Sequence, residues 1–215
     1  MRRESTSEAL EVESEVQGPA WIQLVFSFAC GLDFAVLQFS YFFLMEAYLS
    51  SQYLSYFVTL FFWLCGFLAG LRTAGDRWFS RLLILGVLAY YAAWSLTRWI
   101  PFHPLLYPSA ALCSILSGLL PGYFFPFMAR RFAAVRSLLF HENNGFILGI
   151  LVSLRALIHC GSWFLAYAPL LGAAIVLAIR AAAVLGGSDR SLVPVTVDVG
   201  RSAADGLGEE KPGQP

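Results

Sequence analysis

Long apolar runs of 16 to 27 residues alternate along the chain with short polar, arginine-bearing segments, a pattern that predicts membrane-spanning helices rather than strands or soluble helices. Six runs are long enough to cross a bilayer: residues 21 to 47, 53 to 71, 82 to 100, 105 to 128, 146 to 166 and 170 to 185. The expected fold is therefore an all-α integral membrane protein, a six-transmembrane-helix bundle occupying residues 19 to 186. An acidic N-terminal tail (1 to 18) and a C-terminal tail (187 to 215) flank it. The C-terminal tail is rich in Gly, Pro and small polar residues and too poor in apolar surface to offset the entropy of ordering, so both tails are expected to be disordered. An acidic stretch precedes the first run and no small-residue cleavage site follows it, so it is expected to remain as a span rather than be removed as a signal peptide.

Composition reinforces this reading. Of 215 residues, 58% are hydrophobic and 13% charged, a balance unlike that of a soluble domain, and no nucleic-acid partner is expected. The formal net charge is zero, but its distribution is lopsided. With the N-terminus inside, Arg2, Arg3, Arg72, Arg77, Arg81, Arg130, Arg131, Arg136, Arg180, Arg190, Arg201 and Lys211 all fall on the inner side, and Arg98 falls outside. By the positive-inside rule both termini are expected to be cytoplasmic, in the inner (plasma) membrane of the cell.

Several small residues recur four apart: Gly66 and Gly70, Gly118 and Gly122, Gly145 and Gly149, the last pair continuing to Ser153. Such spacing marks faces on which membrane helices approach closely. Pro121 and Pro126 in "SGLLPGYFFPFMARR" each remove a backbone donor and are expected to kink the fourth span.

The charges inside the spans are the candidate chemistry. Asp33 lies about halfway along the first run and Glu46 near its outer end; Arg155 and His159 share a face of the fifth. An arginine inside a span must face protein, water or a partner charge, and Asp33 is the expected partner if the first and fifth helices touch. The two would then form a structural ion pair. Alternatively Asp33, Glu46, Arg155 and His159 line a path for a small polar or cationic solute, with His159 as a protonatable group.

Other polar clusters have plainer explanations. "FHENNG", residues 140 to 145, reads as capping chemistry at the start of the fifth helix. Cys30, Cys65, Cys113 and Cys160 have no ligand spacing and read as small buried residues, so neither a metal nor a cofactor is expected. No GxGxxG, Walker loop, HExxH or nucleophile elbow is present, and the chain is not expected to be an enzyme.

"GLRTAGDRWFSR", residues 70 to 81, resembles the loop signature between the second and third helices of major facilitator transporters, through Gly75, Asp76, Arg77 and Arg81. More of the chain is similar to the membrane region of bacterial spermidine-synthase-like proteins, itself similar to a facilitator half. The matching pieces are "LDFAVLQFSYFFLMEAYLS" with Gln38 and Glu46, "WLCGFLAGLRTAGDR", "GLLPGYFFPFMARR" and "NNGFILGIL". The resemblance spans roughly residues 20 to 185. It implies a half module that acts as a homo-oligomer or with a membrane-protein partner. The glycine-rich nucleoside loop of the synthase domain is absent, so aminopropyl transfer lies outside what this chain does alone. Arg155 and His159 match no motif of that family. A second reading from another class stands beside transport: a non-catalytic subunit or membrane anchor of a larger complex.

Overall fold

The computed structural model describes residues 20 to 49, 52 to 73, 77 to 132 and 135 to 185. The expected tails, and Gly75 and Asp76 of the loop signature, lie outside the described residues. Six helices carry the described chain: α1 (Ala20–Leu49), α2 (Gln52–Leu71), α3 (Phe79–Trp99), α4 (Leu106–Ala129), α5 (Val135–Cys160) and α6 (Ser162–Leu185). All six are long and apolar enough to cross a membrane. In hydrocarbon every backbone amide and carbonyl must be satisfied within the segment, which is why these sequences are helical throughout. The end of the bundle that holds the start of α1 is called basal below, and the opposite end apical.

Four boundaries match the hydrophobic pattern to within a few residues; the fifth and sixth do not. α5 starts at Val135, well before residue 146, and stops at Cys160 rather than 166. Gly161, at φ +54°, makes the turn into α6. That left-handed conformation is open to glycine without steric cost, and the helix pair reverses there in one residue. Pro169, which interrupts the pattern, lies inside α6. "FHENNG" consequently lies about one to three turns inside α5 and does not cap it. His141 Nδ1 is 2.8 Å from the Ser137 carbonyl oxygen, Asn144 donates to the Phe140 carbonyl oxygen at 2.7 Å, and Glu142 is buried.

The most extensive contacts in the bundle are α2 with α4 and α1 with α5, followed by α3 with α4 and α1 with α6. Exchanging α1–α3 for α4–α6 maps this pattern onto itself. The register follows too. Gly66 and Gly70 of α2 lie against the carbonyls of Ile115 and Leu119 on α4, while Gly145 and Gly149 of α5 lie against those of Phe28 and Leu32 on α1. Reciprocally, Gly118 of α4 abuts the Trp63 carbonyl, and Gly31 of α1 abuts that of Glu142. Residue numbers rise together across both contacts, so each pair is parallel. Consecutive helices run in opposite directions, so the two three-helix units have inverted topology. The small-residue faces expected from Gly66, Gly70, Gly118, Gly122, Gly145 and Gly149 are thus the two equivalent seams of an inverted repeat. Gly31 with Ala35 completes the set.

Aromatic packing fills the space between seams. At the basal end Phe79 stacks with Phe127 at 5.4 Å and meets Phe26 at 5.3 Å, and Arg180 of α6 lies over the Phe79 ring at 5.0 Å while donating to Ser80 Oγ at 2.9 Å. Midway, the Tyr41 hydroxyl sits 2.9 Å from Ser117 Oγ and donates to the Cys113 carbonyl oxygen at 3.2 Å, and Ser117 donates to the Gly86 carbonyl oxygen at 2.9 Å, tying α1, α4 and α3 together.

Pro169 has no N–H, so the Leu165 carbonyl one turn earlier lacks its helical partner. Tyr90 supplies the missing donor from α3, at 2.8 Å. Tyr91 donates to the neighbouring Ala166 carbonyl at 2.7 Å. Replacing Tyr90, which is fully buried, by Phe should leave the Leu165 carbonyl unsatisfied in an apolar interior and cost about 1–2 kcal/mol. The check is thermal or SDS unfolding in detergent; a variant as stable as the parent would show that α6 needs no donor from α3.

Candidate functional site

The structure places the four intramembrane candidates in two different environments. Asp33 is 13 residues into α1, about 20 Å along a helix of 1.5 Å rise, and is 2% exposed. One carboxylate oxygen, Oδ2, has no hydrogen-bond partner, and the other lies against Gly172 of α6, where no side chain intervenes. Glu46 is half-buried near the apical end of α1.

Arg155 and His159 are exposed on the outer surface of α5. They border an open groove of about 450 Å³ whose remaining walls include Leu151, Val152 and Ala156. The expected Asp33–Arg155 ion pair is therefore not formed. α5 does pack along α1, but it turns Gly145, Gly149 and Ser153 toward that helix, and Arg155 projects from another face. The shifted end of α5 also changes what Arg155 requires. It stands five residues before Cys160, about 8 Å from the helix terminus, so a flexible guanidinium reaches the apical interface without an internal counter-charge. Cations in the last turns of a helix also face the negative end of its dipole. Among the described residues, Asp33 is buried inside the bundle while Arg155 and His159 lie on its outer surface, so the four candidates do not face one common space.

Two further charged residues have surroundings that the pattern did not anticipate. Glu142, read as a cap, is 6% exposed in the α1–α5 seam, and Arg180, read as an inner-side charge, folds back over Phe79 and Phe127. The one legible signal for the burial of Glu142 was the four-residue spacing of Gly145 and Gly149: a seam fixed by those residues buries position 142 one turn earlier.

Of the loop signature, Arg77 is exposed, and Arg81 is exposed with its guanidinium 5.2 Å from the centre of the Trp78 ring. Cys30 and Cys113 are buried and Cys65 partly so, as their reading as small core residues requires; Cys160 is exposed beside the α5–α6 turn and departs from it. No group of three or more His, Cys, Asp or Glu side chains that could hold a metal ion occurs among the described residues.

A cavity of about 270 Å³ lies between α1, α2 and α5, where the two inverted units meet. Its lining residues include Phe39, Phe42, Tyr56 and Phe146, together with the polar Gln38 and Thr59. Thr59 is 3% exposed, and its hydroxyl has no hydrogen-bond partner. On either side, α2 and α5 expose broad apolar faces, with Phe57, Phe61 and Leu64 on the first and Ile147, Leu148 and Leu151 on the second.

Six helices long and apolar enough to cross a bilayer, with broad apolar faces turned outward, define a multi-pass α-helical membrane protein in contact with the bilayer. Comparison with protein-family models, with curated proteins and with solved structures finds no match.

Proposed function

We propose that the chain is one six-helix half of a facilitator-like transporter, handling a small polar or cationic solute as a homodimer or with a second membrane-protein half. The observation that carries this reading is the inverted three-plus-three repeat. Transporters use such repeats because two related units can rock against each other around a site at their interface. Here Asp33 and the aromatic-walled cavity occupy that interface, and the exposed faces of α2 and α5 flank the cavity where a second half would dock. The motif resemblance to facilitators and to the membrane region of spermidine-synthase-like proteins points the same way. The basal end, which carries Arg72, Arg77, Arg81, Arg130, Arg131, Arg136 and Arg180, is the cytoplasmic one by the positive-inside rule, in the plasma membrane.

The test is native mass spectrometry of the tagged chain taken in mild detergent from its own membrane, followed by solute uptake into proteoliposomes of whatever assembly is found. A dimer or a stoichiometric membrane partner, with saturable uptake of small amines or polar solutes, is the expected result. Assembly without uptake of any solute would replace this reading with that of a non-catalytic membrane subunit, a role that the exposed Arg155 and His159 face also suits.

A further inference from the structure

The cavity between α1, α2 and α5 has a chemistry more specific than "small solute". Its volume of about 270 Å³ corresponds to roughly nine water molecules at ~30 Å³ each, room for one compact organic molecule. The rings are set at steep angles rather than stacked: Phe42 meets Tyr56 at 86° and 5.9 Å, and Phe39 at 72° and 6.5 Å. The four aromatic residues wall the space, and aromatic rings attract a cation bearing apolar substituents. No basic side chain lines the cavity, and Glu46 lies one turn beyond Phe42 on α1.

We infer that this cavity is a binding site for a small alkylated ammonium ion. Its alkyl groups contact Phe39, Phe42, Tyr56 and Phe146, and the Gln38 side-chain oxygen accepts from N–H, or faces the polarised carbons of a quaternary centre. A bare metal cation is excluded by the same walls, because one neutral side-chain oxygen falls far short of the six or more that a hard cation requires. An anion would meet ring faces and no basic group. This inference rests on the transport reading for its biological sense, but not for its test.

The measurement is equilibrium binding to the purified full chain in lipid nanodiscs, with choline as the probe and its uncharged analogue 3,3-dimethylbutan-1-ol as the comparison. Choline should bind saturably and the neutral analogue roughly tenfold more weakly, the range expected when desolvated cation–aromatic contacts are lost. Phe42→Leu, which keeps an apolar side chain but removes the ring, should weaken choline binding by a similar factor. Leu88→Ala, on the exposed face of α3, which contributes no wall to the cavity, should leave it unchanged. Equal binding of the two probes would overturn the inference and make the cavity an apolar slot for lipid, as would absence of choline binding to folded protein. Choline binding without uptake into vesicles would keep the site and remove the transport reading; uptake unaffected by Phe42→Leu would do the reverse.

Discussion

Gly118→Ala should destabilise the bundle by about 3 kcal/mol or more, while the same change at Gly86 should be nearly neutral. Both glycines are buried in helices that pack on neighbours, and alanine is the better helix former at each by roughly 1 kcal/mol. The difference lies in what a methyl group would meet. At Gly118 it would overlap the Trp63 carbonyl oxygen, an atom of the α2 backbone that cannot rotate aside, so α2 and α4 must separate along their length. At Gly86 the nearest atom is Ser117 Cα at 3.5 Å, ordinary van der Waals contact. Without water there is no hydrophobic force between helices in lipid, and association rests on close packing, so a lost seam is not compensated. Overpacking in a closed core costs about 1–3 kcal/mol, and backbone-to-backbone overlap belongs at or beyond the top of that range. Gly31→Ala, the counterpart in the other repeat, should be as severe, because its methyl would overlap the Glu142 carbonyl. Thermal midpoints and yields of monodisperse protein measure all three. A Gly118→Ala protein as stable as the parent would mean that the α2–α4 seam is looser than the structure shows, and would weaken the repeat as an architectural principle.

Asp33→Asn should raise stability by about 1–3 kcal/mol and abolish solute uptake. A carboxylate at the centre of a spanning helix costs about 2.5–3.5 kcal/mol on insertion scales, and here one of its oxygens finds no donor. The amide has the same shape and no charge, so it removes much of that cost without opening a cavity. Stability given up in this way at a repeat interface is the signature of a group kept for function rather than for packing. Arg155→Gln should change stability little, since the side chain is already exposed. The double variant should show the sum of the two single effects within ~0.5 kcal/mol, as for sites without a shared contact. An ion pair holding the helices together demands the opposite: two damaging single changes and partial recovery in the double. Such recovery would mean that Arg155 reaches Asp33 after all, and the outward face of α5 would have to be redrawn. A stable Asp33→Asn protein with unimpaired uptake would leave Asp33 without a role in transport.

The six spans were legible because a bilayer demands about 20 consecutive apolar residues of any helix that crosses it, a requirement visible in one dimension. The faces that touch were half legible. Glycines four apart announce a close approach, but not with which helix, so the pairing of Gly66 with Ile115 and of Gly145 with Phe28 had to come from three dimensions. The inverted repeat is likewise invisible in residue identity. Gly118 corresponds to Gly31, yet Trp63 corresponds to Glu142, since the seam conserves small volume on one side and only a backbone carbonyl on the other.

The two misplaced boundaries show the same limit from another direction. Hydropathy reads Gly161 as part of an apolar run, because a one-residue turn in the left-handed region needs no polar segment to mark it, whereas Pro169 looks like a break and is not one. Its orphaned carbonyl is satisfied by Tyr90, more than seventy residues away in sequence. Moving that one turn carries Arg155 from mid-membrane to within reach of the apical interface and dissolves the apparent need for Asp33 as its partner.

Membrane residence, the number of crossings and the positions of the close-packing faces thus follow from composition and short-range spacing, because lipid tests each segment separately. Which charges are buried, which lie open to lipid and which rings line a cavity depend on the rotation of each helix about its own axis. That rotation is set by backbone contacts between segments far apart in the chain, chiefly at Gly31, Gly118 and Gly145, where one helix sits directly on the carbonyls of another.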